Sequence, residues 1–141
     1  MGSVTLIVID THALIWAVQD NPKLGSGARE RIELEAREDA VLVPAICAWE
    51  VALVVSRGQV ELPLDVPSWM RRVLNRPGYS FAPLEPEIAV ASVELAWKHK
   101  DPADRMIVAT ALHWRAPLLT ADGTIKAYAE ATDLEVIDAS A

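Results

Sequence analysis

Five short apolar runs, "VTLIVI", "AVLVP", "YSFAPL", "APLLT" and "LEVI", are spaced along this chain by stretches of helical period. The first, Val4 to Ile9, is rich in β-branched residues and barely alternates, which marks a strand buried on both faces rather than one with a wet side. Parallel neighbours cannot be joined by a hairpin, so buried strands alternating with helices demand βαβ crossovers. The pattern predicts an α/β fold, a three-layer α/β/α sandwich around a mostly parallel sheet. At 141 residues and 52 % hydrophobic composition, the chain has the size and apolar content of one domain, residues 1–141.

Between the strands, Thr11 to Val18 reads as a first helix. In "PKLGSGARERIELEAREDA", Ser26 is the expected N-cap of a solvent-facing helix whose Leu24, Ala28, Ile32 and Ala36 form a narrow stripe. "AICAWEVALVVSRG" reads as a helix closed by Gly58. Prolines then bracket a short amphipathic helix, with Val66, Trp69, Met70, Val73 and Leu74 on its apolar face. "PEIAVASVELAWKHK" and "DPADRMIVATALHWR" are two successive helices divided at Asp101-Pro102, where proline suits the first helical position. "APLLTADG" is a strand and turn, and "LEVIDAS" a last strand.

Several classes of function are disfavoured. No window approaches the 18 or so apolar residues of a membrane span, and no basic-then-apolar leader stands at the start, so a soluble cytoplasmic protein is expected. The single cysteine, Cys47, excludes an intramolecular disulfide and a multi-cysteine zinc site. A net charge of −7 argues, at face value, against nucleic acid. The five tryptophans are read as core or interface packing.

Acidic residues at the ends of elements argue the other way. Asp10 follows the first strand and Asp122 the "PLLT" strand, and open α/β sheets bind ligands outside the carboxyl ends of their strands. Each has a local explanation, Asp10 as a helix N-cap and Asp122-Gly123 as a turn. Glu50 is harder to explain locally, because Ile46, Cys47, Leu53 and Val54 surround it at i−4, i−3, i+3 and i+4. Asp101 caps the helix that Pro102 opens, with Asp104 at N3, where a capping box prefers the longer Glu or Gln. A cluster accounts for all of them together. Carboxylates about 4 Å apart repel by roughly 4 kcal/mol at an effective dielectric near 20, so the cluster asks for a cation. Oxygen ligands without cysteine or paired histidines favour Mg²⁺ or Mn²⁺. His12, His99 and His113 are read as packing or surface histidines.

"VIDTHALIW", "AWEVAL", "HKDPADRMIVATA" and "LLTAD", in this order and spacing, resemble the PIN-domain ribonucleases, specifically the VapC-type toxins of bacterial toxin–antitoxin pairs. The likeness covers nearly the whole chain. It implies a PIN-like fold whose acidic site binds one or two Mg²⁺ or Mn²⁺ ions and cleaves RNA. By position the family's acids fall on Asp10, Glu50, Asp104 and Asp122, as catalytic residues and metal ligands. Thr11 matches the hydroxyl residue after the first acid, and Thr120 the Ser or Thr two before the last. Asp101 and Arg105 of the "DPADR" stretch are carried over as supporting or substrate-contacting positions. Cys47 stands where the family often has Ser or Thr, which removes one expected hydrogen bond near Glu50.

The resemblance also implies a cognate VapB antitoxin that covers the acidic site, and a toxin homodimer within the complex. The helices carrying Trp49, and Trp69 with Met70, supply large apolar surface suited to such a partner, with core packing the expected role of each residue taken alone. Two bound divalent ions would change −7 to −3, and Arg57, Arg71, Arg72, Arg76, Lys98, Lys100 and Arg105 lie in segments able to flank the site. Two other readings remain open here. One is a PIN-like interaction module without activity. The other is an aspartyl-phosphate protein of receiver or dehalogenase type, although the second Asp of the dehalogenase pattern is replaced by His12.

Overall fold

A computed structural model of the chain describes residues 6–141. Val4 and Thr5, which open the first apolar run, lie outside the described residues. Five strands, β1 (Ile7–Ile9), β2 (Val41–Pro44), β3 (Tyr79–Ala82), β4 (Leu118–Thr120) and β5 (Val136–Asp138), form one sheet. Every pairing is parallel and the order is β3-β2-β1-β4-β5. Seven helices among the described residues flank it: α1 (Thr11–Val18), α2 (Ser26–Arg37), α3 (Ile46–Ser56), α4 (Val66–Leu74), α5 (Pro86–Glu94), α6 (Pro102–Trp114) and α7 (Gly123–Glu130). This is the three-layer α/β/α sandwich expected from the strand pattern.

The lack of alternation in β1 has its cause in that arrangement. Ile7, Val8 and Ile9 are all fully buried, because β1 is the middle strand and both of its faces are covered. Val8 aligns with Leu42 of β2 and Leu118 of β4. The chain winds outward from β1 to β3, then returns to β4 on the other side of β1. The crevice between the carboxyl ends of β1 and β4 is therefore the switch point at which an open α/β sheet can admit a ligand.

Local chemistry sets most helix ends. Gly58 closes α3 at φ +69°, a left-handed conformation that costs glycine little. Asp65 caps α4, with its carboxylate accepting from the Ser68 N–H at 3.2 Å. On α4, Trp69, Met70 and Val73 are buried as the periodicity requires, whereas Leu74 is exposed.

Three expectations are corrected. Ser26 is not the cap of α2: Gly25 holds that position without a side-chain bond, and the chain's last residues serve instead. The Gly25 N–H donates to the Ala139 carbonyl at 2.9 Å and the Ala28 N–H to that of Ala141 at 3.0 Å. The helix begun at Pro86 stops at Glu94, so "LAWKHK" is not helical. A helix, α7, occupies residues that the sequence pattern left unassigned after the Asp122-Gly123 turn. Among the tryptophans only Trp69 is fully buried, while Trp49 and Trp114 are exposed. Trp69 and Met70 are therefore core residues and leave Trp49 as the exposed aromatic of the three named for partner binding. Among the described residues no helix is long and apolar enough to cross a membrane.

Candidate active site

The crevice at the switch point is a cavity of 340 Å³ lined by Asp10, His12, Trp16, Glu50, Asp101, Asp104, Ala121 and Asp122. All four acids singled out from the sequence meet there, together with Asp101. They arrive from the end of β1, the second turn of α3, the start of α6 and the end of β4.

Asp10 is held on every side. Its backbone N–H donates to the Leu119 carbonyl of β4 at 3.0 Å. Its Oδ1 accepts from the Thr11 N–H at 2.8 Å, and its Oδ2 from the Thr120 hydroxyl at 2.6 Å. The capping role proposed from sequence is real and coexists with the site. A carboxylate oxygen has a second lone pair, so both oxygens keep capacity to bind a cation. Burial pushes the Asp10 carboxyl up to about 6, against the opposing pull of the Thr120 and Thr11 bonds; the Asp104 charge pushes the same way as burial.

Two threonines support the acids. The Thr120 hydroxyl, while donating to Asp10, accepts from the Asp122 N–H at 3.0 Å. Asp122 in turn caps α7, with Oδ1 accepting from Thr124 and Ile125 at 2.8 and 3.0 Å. The Thr11 hydroxyl donates to Oε1 of Glu50. Glu50 is half-buried, and burial raises its carboxyl pKa even though the Thr11 bond opposes the shift. The hydrogen bond missing at Cys47 is thus supplied by Thr11. Cys47 itself is fully buried, its thiol pushed up by burial and directed at the Ile9 carbonyl at 3.8 Å.

Asp104 departs from simple capping. Its N–H donates to Oδ1 of Asp101 at 3.1 Å, so Asp101 is the N-cap. The Asp104 carboxylate does not reach back. Its Oδ2 lies 2.7 Å from Nε2 of His99, and an ionised carboxylate makes the imidazole N–H the donor. Burial raises the Asp104 pKa, the His99 bond lowers it, and the charges of Asp101, Asp122 and Glu50 raise it further.

Two residues read as ordinary from sequence are therefore part of this site: His12 lines the cavity and His99 touches Asp104. Donor atoms of His99, Asp101 and Asp104 all lie within 4.8 Å of one another. Spacing along the chain gave little warning, because the chain turns sharply between His99 and Asp104. Of the two roles open to Arg105 from sequence, the structure fits the supporting one, since all five of its N–H donors are taken by backbone carbonyls. Arg76 lies elsewhere, over the Tyr79 ring and beside a separate cavity with Arg29. Lys98 and Lys100 line a shallow depression that shares His99.

The donor set suits a hard divalent cation. Three carboxyls are held above their ordinary pKa by burial and by one another's charge, and a cation among them would relieve both causes.

Comparison with known proteins places the chain in a family and matches its fold. The PIN domain family matches residues 7–131. Ribonuclease VapC22 of Mycobacterium tuberculosis is 27 % identical over 125 residues, spanning 88 % of this chain and 92 % of that protein. The structure of VapBC2 from Rickettsia felis bound to a DNA fragment from its promoter superposes with a TM-score of 0.69 at 17 % identity, over 94 % of this chain and 98 % of that one. A toxin–antitoxin complex from Klebsiella pneumoniae gives 0.61 at 22 % identity, over 94 % and 96 %.

Proposed function

Because the chain belongs to the PIN-domain family, we propose that it is a Mg²⁺- or Mn²⁺-dependent endoribonuclease, a toxin of the VapC type acting in the cytoplasm as one domain. The observation that carries this reading is the convergence of Asp10, Glu50, Asp104 and Asp122 on one cavity at the sheet's switch point. The ribonuclease named among its relatives supports the substrate class.

Asp10 and Asp104 would hold the cation, directly or through water, with Glu50 and Asp122 completing the set. A divalent ion there supplies the positive charge that acidifies water and neutralises phosphate oxygens during phosphodiester hydrolysis. The chain's own residues do the rest. Thr120 fixes the rotamer of Asp10 and ties it to the backbone of Asp122, so the two strand ends act as one rigid donor set. Thr11 fixes Glu50 at the cavity's edge, where its free oxygen can orient or accept a proton from an attacking water. Lys98 and Lys100, exposed beside His99, offer charge to the RNA backbone outside the acidic cavity.

The proposal includes a cognate VapB-type antitoxin and a homodimer of this chain. The complexes among its structural neighbours support the antitoxin. Purified protein freed of antitoxin is expected to cut a structured RNA in Mg²⁺ or Mn²⁺ and to stop when the ion is chelated. Asp10→Asn and Asp104→Asn are each expected to reduce cleavage to background while the circular dichroism spectrum is kept. Cleavage surviving in either variant would overturn the assignment.

A further inference from the structure

We propose that His99 is an active-site positioning residue: it fixes the Asp104 carboxylate for cation binding, and Arg105 places it by gathering the backbone of residues 92–99. This rests on the metal site proposed above and extends it to two residues that the acids alone do not require.

The geometry begins at the end of α5. A helix leaves its last carbonyls without intrahelical partners, and α5 stops at Glu94 with Leu95 already extended. One guanidinium binds two of those carbonyls and three more along the segment that follows. Arg105 Nε donates to the Ser92 carbonyl at 2.8 Å, Nη2 to Val93 and Leu95 at 3.0 and 2.9 Å, and Nη1 to Trp97 and His99 at 2.7 and 2.9 Å. All five donors of the planar fork are used. The segment from 95 to 99 is thereby folded against the first turn of α6, on which both Arg105 and Asp104 stand.

His99 is then fixed from two directions. Its carbonyl is bound by Arg105, and its ring packs at 4.8 Å from Trp97, which in turn packs at 4.6 Å from Tyr128 of α7. The imidazole Nε2 ends 2.7 Å from Oδ2 of Asp104. This engages one carboxylate oxygen and leaves the other to the cavity that Asp104 lines. Groups that orient a ligating side chain in this way commonly change metal affinity by about 10–100-fold when removed. Lysine could not replace Arg105, because three donors on a flexible stem cannot reproduce a five-donor fork.

The test is Mn²⁺ binding to the RNA-free protein, followed by the electron paramagnetic resonance signal of the free ion, for wild type, His99→Ala, His99→Gln and Arg105→Lys. His99→Ala is expected to weaken Mn²⁺ by about 10-fold, and His99→Gln, whose amide N–H can reach the same place, by no more than about threefold. Arg105→Lys is expected to weaken binding in the wild-type background but to add nothing to His99→Ala, because it acts through that residue. Unchanged affinity in His99→Ala would overturn the proposal. So would a spin-echo signature of an imidazole nitrogen bound directly to Mn²⁺ that is present in the wild type and lost in His99→Gln, which would make His99, and not the His12 that also lines the cavity, a ligand. Absence of Mn²⁺ binding by the wild type would remove the metal site and this inference together, whereas wild-type binding with an indifferent His99→Ala removes this inference alone. If Arg105→Lys fails to fold, the Ala and Gln pair at position 99 still decides.

Discussion

Thr120 joins two strand ends with one hydroxyl, donating to Asp10 and accepting from the Asp122 backbone. Replacing it with valine keeps the shape and removes both bonds, leaving a buried carboxylate oxygen and an N–H without partners. Thr120→Val is expected to lower unfolding free energy in urea by about 1–3 kcal/mol, with Thr120→Ser losing much less. It should also move the Asp10 carboxyl above its present value of about 6, because the Thr120 bond opposes the effect of burial; carboxyl carbon chemical shifts would follow this. The same elevation fixes a pH dependence. A raised carboxyl binds its proton more tightly folded than unfolded, so its contribution to stability is fully present below the unfolded value of 3.8 and is lost as pH rises through about 6. Metal-free protein is expected to lose about 3 kcal/mol from this group across that window, and Mg²⁺ should reduce the loss. Thermal melts at several pH values with and without Mg²⁺ measure both. At this scale the acids were legible in the sequence because strand ends and an apolar helix face made them anomalous. His99 was not, because its relevance depends on a turn built by Arg105, and nothing in the order "HKDPADR" shows where a guanidinium points.

The end of α2 closely faces the turn into β3. Gly78 there has φ +87°, and a Cβ built on it would stand 2.0 Å from the Ala36 carbonyl oxygen. Gly78→Ala therefore combines left-handed strain with a backbone clash, and is expected to destabilise by more than about 2 kcal/mol in equilibrium denaturation. A small effect would mean that α2 can shift away from β3. Periodicity located α1, α3, α4 and α6 well, because each carries its own apolar spacing or cap. It overran α5, since "LAWKHK" contains good helix formers and the contacts that hold it outside the helix, to Arg105 and Tyr128, are tertiary. It missed α7 for the opposite reason. The Asp122-Gly123 pair resembles a turn, and the helix after it buries little besides Ile125. The cap of α2 was also invisible locally, because its partners are Ala139 and Ala141 at the other end of the chain.

For the whole molecule, the strand order places four distant chain segments around one cavity and leaves apolar residues outside. Val90 and Val93, three apart on α5 and so on one face, are 57 % and 78 % exposed. If they belong to the proposed homodimer, Val93→Glu is expected to shift the protein toward monomer in sedimentation velocity, and an unchanged species would place the dimer elsewhere. The central position of β1 has a further consequence, in the order of synthesis. Asp10, Glu50 and Asp104 are all made before β4, yet Asp10 acquires its hydroxyl partner and its backbone anchor only when Thr120 and Leu119 arrive beside it. A chain still emerging from the ribosome, or one broken off before β4, carries three of the acids on a sheet that lacks the strand anchoring Asp10. A destructive activity that depends on this tie is not expected from products broken off before β4.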